Sequence, residues 1–110
     1  MACILLLEGD GDTRETLRGI LVEEGFDVRV APDEASALNE LRANHVQALF
    51  VDLIEPREFL DRLAQRRELD AINVILLSAD SRPSHPRAAA VLRMPFSMDE
   101  LIAAARKYCA

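Results

Sequence analysis

Long hydrophobic runs are missing from this chain. The apolar start, CILLL at 3–7, is far too short for a signal peptide or a membrane span. Cysteine is scarce too. Cys3 and Cys109 stand at opposite ends and make neither a disulfide framework nor a zinc motif, as expected of two reduced thiols in a cytoplasmic protein. Basic residues are outnumbered, 13 Lys and Arg against 19 Asp and Glu for a formal net charge of −6, and no Lys/Arg run marks a nucleic-acid footprint. Glycine occurs four times and builds no phosphate-cradling loop. With no nucleophilic triad or metal cluster either, an enzyme or a small-ligand binder has no support in the sequence. Internal repeats and low-complexity tracts are also absent. What remains is 110 residues, half of them apolar and 29% charged, the make-up of a single globular domain spanning 1–110.

Apolar runs alternate with helical patterns along that domain. CILLL at 3–7 reads as a strand covered on both faces. Asp12 and Glu15 have capping-box spacing and open a helix with Leu17, Ile20 and Leu21 inward, ended by Gly25. FDVRV at 26–30 alternates as a half-covered edge strand does. A second helix starts near Asp33, buries Ala37, Leu38 and Leu41, and stops around Asn44. ALFV at 48–51 is a third strand, and Pro56 suits the first turn of a helix with Phe59, Leu60 and Leu63 inside. NVILL at 73–77 is a fourth strand, and VLR at 91–93, with or without Ala89 and Ala90, a short fifth. Ser97 and Glu100 form a capping box for a last helix burying Leu101, Ile102, Ala105 and Tyr108. This β-α-β-α-β-α-β-loop-β-α order predicts a parallel sheet with right-handed crossovers and helices on both faces. Chemistry in such sheets lies beyond the carboxyl ends of the strands, here Glu8–Gly9–Asp10, Asp52, Ser78 and Met94.

The segments ILLLEGDGDTRETL, ALFVDLIEP, VILLSA and RMPFSMDEL, in this order and spacing, resemble the receiver domain of two-component response regulators over the whole chain. The resemblance implies a flavodoxin-like doubly wound sheet of five parallel strands. It places the phosphoacceptor at Asp52, the hydroxyl that senses the phosphoryl group at Ser78, and Mg²⁺ between an acidic pair after the first strand, Asp52 and the Ile54 carbonyl. Accepting a phosphoryl group needs a carboxylate nucleophile and neutralisation of the phosphoryl oxygens, much of it from Mg²⁺ held by oxygen ligands. Counting back from Arg14 puts Glu8 and Gly9 at the acidic pair, with Asp10 just after it. Glu8 then remains as a metal ligand, Gly9 replaces the direct one, and Asp10 compensates only if the turn bends, as Gly9 and Gly11 permit.

Other departures accumulate. Met94 replaces the family lysine before Pro95–Phe96, and a thioether cannot neutralise phosphoryl oxygens. The adjacent Arg93 should point to the other face, because strand side chains alternate. Val91 stands where the family has its aromatic switch residue. Glu55 adds negative charge beside Asp52. The stretch 79–93 is shorter than the family's, and its Pro83 and Pro86 predict a fourth helix that is shortened or absent. His85 and His45 are expected in solvent, and Arg62, Arg66 and Arg67 on a solvated helix face.

The expectation is therefore an atypical receiver, a pseudo-receiver acting mainly as a protein-interaction module, with phosphorylation impaired or absent and Mg²⁺ bound weakly. The alternative is a receiver still phosphorylated at Asp52 with non-standard metal binding. Either would partner a histidine kinase or a downstream effector, without nucleic acid or membrane, and neither is an enzyme.

Overall fold

A computed structural model of the chain describes residues 3–79 and 85–109. Five strands, β1 (Cys3–Glu8), β2 (Asp27–Ala31), β3 (Ala48–Asp52), β4 (Asn73–Ser78) and β5 (Ala90–Arg93), form one parallel sheet in the order β2-β1-β3-β4-β5. Helices α1 (Gly11–Glu23), α2 (Glu34–Ala43), α3 (Arg57–Ala64) and α4 (Met98–Tyr108) cover it, with a 3-10 turn at Arg67–Leu69. The alternation of patterns anticipated the parallel sheet, and its doubly wound flavodoxin-like form is the one the resemblance implied. No described helix is long and apolar enough to cross a membrane.

Strand alternation divides the core in two. Leu5 and Leu7 of β1 join Leu49, Val51, Val74 and Leu76 beneath α2 and α3, which contribute Ala37, Leu41, Phe59, Leu60 and Leu63. Ile4 and Leu6 face the other way, with Phe50, Ile75 and Leu77, against Leu17 and Leu21 of α1 and Leu101 and Ala105 of α4. All six β1 residues are buried because that strand has neighbours on both sides and helices on both faces.

Several boundaries move from their sequence expectations for local reasons. The α1 cap is Asp10, not Asp12: its carboxylate takes the Thr13 N–H, and Asp12 lies inside the first turn. The second strand starts at Asp27, because Phe26 still belongs to the end of α1. Its N–H reaches back to the Leu21 carbonyl across Gly25, which alone among described residues has a left-handed φ, 93°. β3 and β4 run on to include Asp52 and Ser78. Pro56 is the cap of α3 and not its first residue, and Leu38 is half-buried at the edge of its cluster. The Ser97–Glu100 capping box of α4 is present with both reciprocal bonds.

Between β4 and β5, the described residues Ala79 and 85–89 form bends and turns and no helix, while 80–84, including Pro83, lie outside the described residues. The connection is tied down by Arg87, whose Nη2 donates to the Leu69 carbonyl at 2.6 Å and the Ile72 carbonyl at 2.8 Å. His85 is not the solvated loop histidine expected. Its side chain is only 15% exposed, Nε2 lies 2.6 Å from Asp61 Oδ1 on α3, and Nδ1 accepts the Arg87 N–H. His45 is exposed as anticipated. Arg62 and Arg66 stay on the surface, paired with Glu34 and Glu68.

Candidate functional site

The order of the sheet reverses between β1 and β3, and their carboxyl ends lie side by side, with Glu8 directly opposite Asp52 in register. That is the switch point at which open parallel sheets leave a crevice for ligands. Strand alternation gives Glu8, Asp52 and Met94 one parity, the face covered by α1 and α4. The structure thus brings together the surviving carboxylates and the residue that replaces the family lysine.

Glu8 is 5% exposed, the one charged side chain in the described core. Its Oε1 accepts the Asp10 N–H at 3.0 Å. Its Oε2 is buried and meets no donor among the described residues; its neighbour is the Asp52 carboxyl, itself an acceptor. Two carboxyls in contact are tolerable only when a proton or a cation stands between them. Burial first, and then Asp52, push the Glu8 carboxyl up to about 7 against the pull of the Asp10 N–H. Asp52, half-buried, forms no ion pair among the described residues.

Asp10 is exposed and turned to its own helix. Its Oδ2 accepts the Thr13 hydroxyl at 2.6 Å and the Thr13 N–H at 2.9 Å, and these bonds hold it below the usual carboxylate range. Gly9 is exposed and needs no glycine geometry, since an added Cβ would meet only the Pro32 carbonyl oxygen at 3.5 Å. The bend that would carry Asp10 into the crevice is not made. We expect Asp10→Ala to lower the melting temperature through loss of the cap and to leave any Mg²⁺ response of the amide spectrum unchanged; a lost response would make Asp10 a metal donor.

Ser78 ends β4 half-buried, and its carbonyl accepts the Met94 N–H at 2.8 Å. The Met94–Pro95 bond is cis, a form essentially confined to bonds before proline. Met94 packs on the cluster beneath α1 and α4, whereas Val91 packs on the opposite cluster, so neither reaches the other's face. Arg93 is exposed. Arg14, which the sequence offered only as a ruler, fixes the end of β1 by donating from Nη1 to the Glu8 carbonyl at 3.0 Å. No pattern in the sequence announces that bond.

Around Asp52 lies a hollow of about 310 Å³ lined by Leu53, Ile54, Leu77, Ser78, Ala79 and Met94. A larger cleft of about 480 Å³ adjoins it, with Leu53, Leu60 and Leu76 in its wall and Glu55, Arg57 and His85 among its polar groups. No group of three or more His, Cys, Asp or Glu gathers anywhere among the described residues. Glu8 and Asp52 still fit a cation, because Oε2 of Glu8 is a buried acceptor lacking a donor and Mg²⁺ is commonly held by one or two carboxylates with waters.

No protein-family model matches the chain. It is 31% identical to an uncharacterised 14.6 kDa protein of Leptolyngbya boryana, over 96% of this chain and 88% of that one. It is 32% identical to the response regulator MprA of Mycobacterium avium over 94% of its length, and spans 49% of MprA, about half. Among solved structures, the response regulator TrrA of Thermotoga maritima, in complex with Mg²⁺ and BeF, superposes with a TM-score of 0.84 at 25% identity, covering 98% of this chain and 99% of that one. With the sheet order, the strand-end Asp52 and the sequence matches in agreement, the chain belongs to the receiver domains of two-component response regulators.

Proposed function

We propose that this receiver works in two-component signalling chiefly as a protein-interaction module of the cytoplasm, with phosphorylation of Asp52 impaired. The observation that carries the reading is the electrostatics of the Asp52 crevice. Glu8 and Asp52 crowd together without a cation from the described chain; Gly9 brings no ligand, Asp10 serves its helix, and Met94 lies in apolar packing. Phosphoryl transfer depends above all on preorganised charge around the transferring group. Two sources of that charge are reduced here independently. Bound Mg²⁺ would supply neutralisation of phosphoryl oxygens. Glu8, Asp52 and the Ile54 carbonyl are the groups that would hold it, and weakly, since Glu8 retains its proton near neutrality. Ser78 stands where a phosphoryl group would be sensed, while Val91 offers no aromatic ring to relay the change.

The alternative, phosphorylation persisting at Asp52, is favoured by one feature: Asp52 is half-buried at the rim of an open hollow, within reach of a donor. The partner in either case is a histidine kinase or a downstream effector. Titrating Mg²⁺ with beryllofluoride, a phosphoryl mimic, while recording amide NMR shifts separates the two. The expected result is no saturable change around Asp52 and Ser78 at millimolar Mg²⁺. Saturating shifts centred there would overturn the module reading.

A further inference from the structure

One histidine ties the connection between β4 and β5 to α3, and the Asp52 crevice makes no use of it. His85 forms two hydrogen bonds in opposite directions. Its Nδ1 takes the N–H of Arg87, two residues on, at 3.0 Å, and its Nε2 lies 2.6 Å from Oδ1 of Asp61 on α3. A backbone N–H can only donate, so Nδ1 carries no hydrogen. Nε2 therefore carries it and donates to the Asp61 carboxylate. One tautomer of the neutral imidazole makes both bonds, and no other protonation state does.

A second proton on the ring has to sit on Nδ1. Nδ1–H would then face the Arg87 N–H, donor against donor, at a separation that needs an acceptor. The contact with Asp61 gains charge in exchange. That gain is small, because the Asp61 side chain is 56% exposed and water screens the pair. Whether the charged ring stays against α3 or leaves it, the bond that closes the turn at 85–87 is lost.

Other anchors of the connection do not depend on this proton. The Arg87 guanidinium donates to the Leu69 and Ile72 carbonyls, and the N–H groups of Ala88 and Ala89 donate to the carbonyls of His85 and Val74. They keep β5 attached while the turn responds. From other elements the charged groups around His85 are Asp61 of α3, together with Glu55 and Arg57 at the start of that helix, which share the cleft of about 480 Å³ with it. Glu55 and Arg57 are opposite in sign, and neither forms an ion pair among the described residues. Leu76 and Ser78 of β4 line the same cleft.

We propose that His85 is a pH-sensitive latch. As a neutral imidazole it closes the 85–87 turn against α3; as an imidazolium it releases the Arg87 N–H and loosens the cleft wall beside Ser78. Histidine is the side chain that ordinarily changes charge between pH 5 and 8. The latch acts whether or not Asp52 is phosphorylated.

The test uses NMR of the ¹⁵N-labelled full chain at pH 8 and pH 5, with His45→Gln to assign the ring signals. At pH 8 the His85 ring should carry hydrogen on Nε2 alone, and at pH 5 on both nitrogens. Protection of the Arg87 amide against hydrogen exchange, corrected for intrinsic rates, should fall about fivefold from pH 8 to pH 5, the worth of one ordinary hydrogen bond. Protection of the Ala89 amide should hold steady. His85→Asn keeps an acceptor for the N–H two residues on and has no proton to gain, so its Arg87 amide should be equally protected at both values. Hydrogen on Nδ1 at pH 8, unchanged Arg87 protection in the native chain, or a fall that persists in His85→Asn would each overturn the proposal.

Discussion

A chain carrying both Gly9→Asp and Met94→Lys should be labelled at Asp52 by acetyl phosphate on the order of 10²-fold faster than the native chain, since a single preorganised donor is typically worth 10²–10³ in rate. The fold admits both changes. Gly9 is exposed, has no left-handed φ, and a Cβ there makes only ordinary contact with the Pro32 carbonyl oxygen at 3.5 Å. Met94 is half-exposed at the end of β5 on the same parity as Asp52. The single changes should behave differently. Met94→Lys sets an ammonium beside two crowded carboxyls and should help by itself. Gly9→Asp alone adds a third acid to them and gains only once a cation is present. Mass spectrometry of the intact chain measures the labelling, with Asp52→Asn as the blank. A double variant no faster than native would show that charge is not what the site lacks.

Glu8→Gln should make the protein more stable at pH 8, by about 3 kcal/mol, and leave it unchanged at pH 4. Glu8 titrates at about 7 in the fold against an ordinary value of 4.5, so between those limits the native state holds a proton that the unfolded chain has released. Stability contributed by this group is therefore complete below about 4.5, falls as the pH rises toward 7, and is fully lost above that. A glutamine cannot ionise. Its amide can donate to Asp52 while its oxygen still accepts the Asp10 N–H, so its contribution stays flat with pH. Carboxylates such as Asp10 and Asp33, whose values are lowered by caps at Thr13 and Ser36, titrate in both proteins and cancel in the difference. Urea denaturation of the pair at pH 4, 6 and 8 gives the comparison. Parallel curves would mean that Glu8 ionises normally inside the fold.

The strands were legible because hydrophobic period and length are local properties, and the runs at 3–7, 48–51 and 73–77 each stand out. The caps at Asp33 and Ser97 were legible for the same reason. The cap of α1 was misread because Asp10, Asp12 and Glu15 all offer acceptable spacings. Only the closure of Oδ2 on Thr13 selects Asp10, and that choice also turns its carboxylate away from the crevice. Asp52, Glu8 and Met94 could be placed because strand ends meet at a topological switch point. The contact of Glu8 with Asp52, and the burial that holds a proton there, depend on register across two strands whose paired residues lie 44 apart in sequence, which no local pattern encodes. His85 escaped for the same kind of reason: its partner Asp61 lies on another element, and proline-rich surroundings suggested only an open loop.

The burial pattern across the sheet has a dynamic consequence. β1 is buried at every residue, while β5 is at least partly exposed at all four and has a neighbouring strand on one side only. Free energies of local opening follow such gradients, so amides of β5 should exchange with solvent well before those of β1 and β3. The carboxyls of the crevice thus stand on interior strands, and the Met94 wall just past the end of an edge strand. Anything that grips both would quieten β5, and occupancy would be felt along that edge as ordering, with little displacement.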